Sequence, residues 1–175
     1  MRLDTRVLTH VALAVALAAV LSLVVLWRFP QGGMVTLGSM IPIFAVAIHY
    51  GPAVGILAGV LLGLITMILD PFFVHPFQIF LDYIFAFGAL GLAGFVRGNK
   101  LLATLVGGGG RFVGHFLSGV VFFGMYAPEG MNPWIYSAVL NGTYLGIETA
   151  IAAVIILVLP MERIFSYGGW SHGRG

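Results

Sequence analysis

Asp82, His115, Asn141, Tyr144 and the pair Arg111 and Glu148 are the side chains of this sequence best equipped to hold or move charge. A carboxylate beside an imidazole can bind a cation, form a simple hydrogen-bonded tie, or act as an acid and base. Ser137, Asn141, Tyr144 and Glu148 follow one another at spacings of four, three and four, which places them on one face of a helix. Arg111 and Glu148 have opposite charges and could satisfy each other. Other chemistries find little footing. There is no cysteine, no His pair at metal-ligand spacing, no Gly-x-Ser-x-Gly or His-Glu-x-x-His motif, and no close pair of carboxylates. The one lysine, Lys100, precedes Leu101, so a phosphate loop ending in Gly-Lys-Ser/Thr is absent. No catalytic residue, metal, cofactor or nucleic-acid partner is therefore expected.

These groups need a scaffold, and the composition says where it sits. Of 175 residues 60% are hydrophobic and 8% are charged, too few charges to coat a water-soluble globule. The expectation is a single all-α integral membrane domain over 1–175. About 20 apolar residues cross a bilayer core, and six runs fit. The first is Val7 to Trp27. A turn region from Arg28 to Thr36 leads to a second run ending near Tyr50, and Gly51-Pro52 opens a third that stops at Leu69. The fourth runs from Pro76 to Arg97, the fifth from Leu101 to Phe123, and the sixth from Trp134 to Leu159. With both termini inside, Arg2, Arg6, Arg97, Lys100, Arg163 and Arg174 lie on the cytoplasmic side and Arg28 lies outside, as the positive-inside rule prefers.

At about 1.5 Å per helical residue, Asp82 is about 9 Å below the outer surface and His115 and Asn141 about 12 to 14 Å. Tyr83 and Tyr144 share that zone, whereas Arg111 and Glu148 both fall near a depth of about 20 Å. An intramembrane ion pair is expected at the deeper level, because each partner relieves the other's desolvation. Asp82 has only an imidazole at its level. With aromatic residues that include Phe72, Phe122, Phe123 and Tyr136 in the same outer half, it describes a box for a flat, positively charged heterocycle. The competing reading is an Asp82-His115 tie between helices, with the aromatics as an interfacial belt. Gly51, Gly55, Gly59 and Gly63 suggest close helix packing, and Gly107 to Gly110 a tight crossing or kink. Ala12-Ala16 and Ala14-Ala18 offer two small-residue ladders on the first helix, either of which could dock a partner.

Arg111-Phe112-Val113-Gly114-His115-Phe116-Leu117-Ser118-Gly119, Tyr126 to Gly130, Pro133 to Ser137 and Asn141-Gly142 together resemble the thiamine-specific S components of energy-coupling factor transporters. Leu81 to Phe87 and Leu37 to Ile43 share the likeness, which extends over nearly the whole chain. The resemblance implies a substrate-binding membrane subunit that captures thiamine from outside. It also implies a transmembrane coupling subunit and two ATPase subunits as partners, in keeping with the missing phosphate loop. Carried over residue by residue, it points to Asp82, Tyr83, His115, Gly119, Phe123, Tyr136, Asn141 and Tyr144 as substrate-binding, and to Ala12 and Ala16 as partner-docking. Asp82 stands where a member of that family has Glu, and Phe123 where it has a stacking Trp. A lid aromatic of the first outer loop has no Trp counterpart between Arg28 and Thr36.

The expectation is thus a six-helix membrane S component, embedded in lipid, with thiamine's thiazolium balanced by Asp82. Another heteroaromatic vitamin, an intramembrane enzyme using Asp82 and His115, and a purely structural subunit are the alternatives.

Overall fold

A computed structural model describes residues 4–29, 33–72 and 74–166. Arg2 and Arg174, expected on the cytoplasmic side, and Phe73, expected in the outer aromatic set, lie outside the described residues. Five long apolar helices form the body: α1 (Thr5–Leu23), α3 (Pro52–Leu69), α4 (Pro76–Phe95), α5 (Lys100–Phe122) and α6 (Pro133–Val158). Between α1 and α3 come an antiparallel hairpin, β1 (Val25–Arg28) and β2 (Met34–Thr36), and the short helix α2 (Ile41–Tyr50). A last short helix, α7 (Met161–Ser166), closes the chain's described part.

Local sequence sets the helix starts. Proline occupies the first turn of α2, α3, α4 and α6, where its missing N–H costs nothing. Asp4, Asn99 and Asn132 cap α1, α5 and α6, their side-chain oxygens accepting from the N–H of Val7, Leu102 and Trp134. Gly51, with φ of 95°, makes the turn between α2 and α3.

Two boundaries differ from the expected spans. The first helix ends at Leu23 rather than Trp27, because Val25–Arg28 pairs with Met34–Thr36, with Val25 opposite Thr36 and Arg28 opposite Met34. The second span is only partly helical. Ten residues of α2 rise about 15 Å, half a bilayer core. Buried non-helical residues, Val35, Thr36, Ser39 and Met40, lead into it. Such backbone is tolerated at membrane depth only when protein surrounds it and supplies its hydrogen bonds.

The glycine ladder does pack helices. Side chains added at Gly55, Gly59 and Gly63 of α3 would collide with backbone atoms of Gly91, Phe87 and Tyr83 in α4, so these two helices meet backbone to backbone. Gly51 belongs to the turn instead, with nothing close to its missing side chain. Gly107, Gly108 and Gly110 admit Phe44 and Leu90, Thr149, and Ala89 and Leu92 against an unbroken α5, a tight crossing and not a kink. The core is centred on Ile43, Phe44, Leu62, Leu90 and Ile156, each fully buried.

The two ends of the bundle carry different charges. Arg6 donates to the carbonyl of Phe165, and Lys100 to that of Leu159 at 2.8 Å, so the chain's start, the α4–α5 turn and α7 share one end. At the other, Arg28 and Asp70 form an exposed ion pair at 3.3 Å. Such a pair contributes little stability, but it joins the hairpin to the end of α3.

Candidate substrate-binding site

Two carboxylates at two levels organise the interior. At the deeper one, Arg111 Nη1 of α5 lies 3.0 Å from Glu148 Oε2 of α6, and both side chains are almost wholly buried. The guanidinium also rests over the Phe87 ring, 4.4 Å from its centroid. The second Glu148 oxygen accepts from the backbone N–H of Thr36 at 2.8 Å and from the Thr36 hydroxyl. Glu148 therefore supplies the hydrogen bond that the non-helical entry to α2 requires.

At the shallower level, Asp82 accepts three hydrogen bonds from uncharged or titratable donors. His115 Nδ1 is 3.0 Å from Oδ1, while Ser118 Oγ and Gln78 Nε2 both lie 2.8 Å from Oδ2. Asp82 stands in a π-helical turn, Phe80–Phe85, that interrupts α4, a wide turn of a kind found often at functional sites. The carboxylate engages Nδ1, which leaves Nε2 as the other polar atom of the ring. That Nε2 is buried and has no partner among the described residues. A buried polar atom without a partner is costly, so the site is chemically incomplete on that side.

From His115 the polar line continues across α6. The His115 and Tyr144 rings meet edge to face with centroids 6.2 Å apart, and the Tyr144 hydroxyl donates to Asn141 Oδ1 at 3.0 Å. Asn141 Nδ2 in turn donates to the Ser137 carbonyl and hydroxyl. Gly119 faces this stripe, and a side chain there would strike Ser137 and Asn141. Asp82, His115, Gly119, Asn141 and Tyr144 thus form one contiguous group.

The other three expected residues sit apart from that line. Tyr83 is buried in the α3–α4 core, and its hydroxyl serves the outer loop, accepting from Phe72 N–H at 2.9 Å and lying within bonding distance of the Asp70 and Phe72 carbonyls. Phe123 stacks on Phe72 at the outer end, with centroids 5.7 Å apart. Tyr136 is buried near the start of α6.

Several participants escape a reading of the sequence. Gln78 and Ser118 could have been found at four residues before Asp82 and three after His115, one helical turn away in each case. Thr36 had no comparable signal. Phe29 is another: it lies 6.3 Å from Tyr144, ring to ring, and Gly33 lies directly on that ring, so the hairpin covers the polar line from the outer side. Trp27 points away, 64% exposed.

The chain matches the family described as "Thiamine transporter protein (Thia_YuaJ)" over residues 8–166. It is 35% identical over 173 residues to the thiamine transporter ThiT of Bacillus subtilis, an alignment covering 88% of this chain and 90% of the relative. It is 31% identical over 140 residues to ThiT of Lacticaseibacillus paracasei, with 69% and 70% covered. Its fold is similar to a solved structure of ThiT from Listeria monocytogenes, with a TM-score of 0.77 and 27% identity, covering 91% of this chain and 96% of the other.

The ion pair makes a direct prediction. Glu148→Gln leaves Arg111 charged and unpaired and should destabilise the fold by about 3–5 kcal/mol, read as a lower thermal midpoint in detergent. Adding Arg111→Met should recover part of that loss, because no buried charge then remains at this level and the amide introduced at position 148 still accepts from Thr36. An unchanged midpoint in the single variant would contradict the pairing.

Proposed function

The chain belongs to the thiamine transporter family Thia_YuaJ, and from that premise we propose that it is an S component that captures thiamine from outside the cell. The observation that carries this reading is the Asp82 constellation: a carboxylate held by Gln78, His115 and Ser118, with no fixed Lys or Arg partner among the described residues. Its net charge then falls to the ligand, and thiamine brings a permanent cation in its thiazolium ring. His115 Nε2 supplies a polar atom that the ligand's aminopyrimidine can engage. Tyr144 and Asn141 extend polar contacts along α6, and Phe123 and Tyr136 offer flat faces for its rings. The Tyr83 hydroxyl ties the outer loop at Phe72 from its place in the α3–α4 core.

Access to the buried Nε2 requires part of its cover to move. The hairpin is suited to that, since two strands alone are marginally stable and this pair is seated on Tyr144 through Phe29, Gly33 and Val35. Phe29 is the hairpin aromatic that lies against Tyr144 of the polar line, in a loop without tryptophan.

Under this reading, movement of thiamine to the cytoplasm falls to the transmembrane coupling subunit and two ATPase subunits that the resemblance to S components implies, in keeping with the missing phosphate loop. The α1 surface supports such docking. Ala12 and Ala16 are exposed between Leu8, Leu13, Leu17 and Val20, while Ala18 of the other ladder is buried inside the bundle. A lipid-facing strip of small residues admits close approach by another helix.

Purified protein should bind thiamine saturably at submicromolar concentration, with riboflavin, biotin and pyridoxine failing to compete. Preference for any of those three, or no saturable binding, would overturn the assignment. Ala16→Trp should keep thiamine binding in detergent yet abolish uptake by cells that also express the coupling subunits. Undiminished uptake would remove α1 from the docking face.

A further inference from the structure

We propose that Gln78 and Ser118 are positioning residues that fix the Asp82 carboxylate in the orientation that receives the ligand's cation. This rests on the cation-binding reading of Asp82. Both side chains are fully buried, Gln78 at 1% and Ser118 at 0% exposure, in a part of the bundle where an apolar residue would be less costly. Their donors meet at one atom. Gln78 Nε2 from α4 and Ser118 Oγ from α5 each lie 2.8 Å from Oδ2, so that oxygen is held from two helices while His115 holds Oδ1. Two donors on one oxygen and a third on the other fix the carboxylate plane.

The chemistry of the donors matters as much as their number. An amide and a hydroxyl stabilise the ionised form without cancelling its charge, unlike the guanidinium that meets Glu148. The Ser118 hydroxyl has no other hydrogen-bond partner among the described residues. Gln78 also joins the carboxylate to the outer loop: Nε2 donates to the Phe72 carbonyl at 3.1 Å, and Oε1 accepts from Val74 N–H at 2.7 Å. The loop that carries Phe72 is thereby set by the same side chain that orients Asp82. Since Phe72 stacks on Phe123, the orientation of the charge and the placement of an outer aromatic face are linked through one amide.

The test compares thiamine with its neutral isostere, in which a thiophene replaces the thiazolium ring. The ratio of their dissociation constants in the full-length protein reads the contribution of the cation. Gln78→Met keeps length and bulk without a donor, and Ser118→Ala removes a single hydroxyl. Each should weaken thiamine by about tenfold, the loss expected for one hydrogen bond to a charged group, with little change for the isostere. The ratio then drops. A role confined to holding the fold would weaken both ligands alike, and an unchanged ratio in both variants overturns the proposal. Should Gln78→Met fail to fold, Ser118→Ala decides the matter alone. If the wild-type protein does not distinguish the two ligands, the cation-binding role of Asp82 falls, and this proposal with it. If the wild type distinguishes them and both variants do so equally well, only the positioning role falls.

Discussion

A peptide N–H that leaves helical structure inside a bilayer has no water to bond, and at Thr36 that donor is met by the Glu148 carboxylate. Much of the interior follows from this contact. Because Glu148 is charged it needs Arg111, and Arg111 binds α5 to α6 while resting on Phe87 of α4. With Thr36 anchored, strand β2 runs outward over α6, bringing Val35, Gly33 and Phe29 onto Tyr144. Tyr144 then backs His115, which holds Asp82. A buried ion pair is weak evidence of stability in general. Here it has a second task, satisfying a backbone group that the bundle could not otherwise bury.

The two carboxylates of the interior show how environment divides roles. Glu148 is met by a fixed cation and by a backbone donor, so its charge is consumed within the fold. Asp82 is met by an amide, a hydroxyl and an imidazole, with no Lys or Arg among its partners in the described residues. Charged groups in a membrane interior are costly and mark substrate pathways. That cost makes the shallower carboxylate the natural partner of an organic cation, and membership of the thiamine transporter family gives the cation a chemical identity under the proposed function. The same logic separates the alanine ladders of α1, one closing the bundle through Ala18 and the other exposed to lipid.

Depth counting made two contacts legible in the sequence. A uniform helical rise leads to Arg111 with Glu148 as the expected pair and puts Asp82 level with His115, whose contact is the competing reading of that level and is present in the structure; α5 and α6 are indeed unbroken α-helices. The glycines of α3 were equally readable, since a four-residue repeat of small residues has few uses other than close packing. The hairpin was not. Val24 to Trp27 continues the apolar character of α1, and Gly32-Gly33 lies in a connection longer than a two-residue hairpin turn, so no clear pairing signal is present there. The direction of Tyr83 was hidden for a different reason: the π-helical turn changes which residues of α4 face α5 and which face α3. Gln78 and Thr36 were overlooked because neither carries charge, although both complete the coordination of a residue that does.

The proposed function makes Asp82 the charge that receives the ligand, and calorimetric titration of thiamine into Asp82→Asn tests that role most directly. Asparagine preserves size and can still accept from Gln78 or Ser118, so the fold should survive, as thermal unfolding alongside would verify. The prediction is a loss of affinity of about a hundredfold, the scale of removing one member of a buried charge pair. Wild-type affinity in a folded Asp82→Asn protein would contradict it.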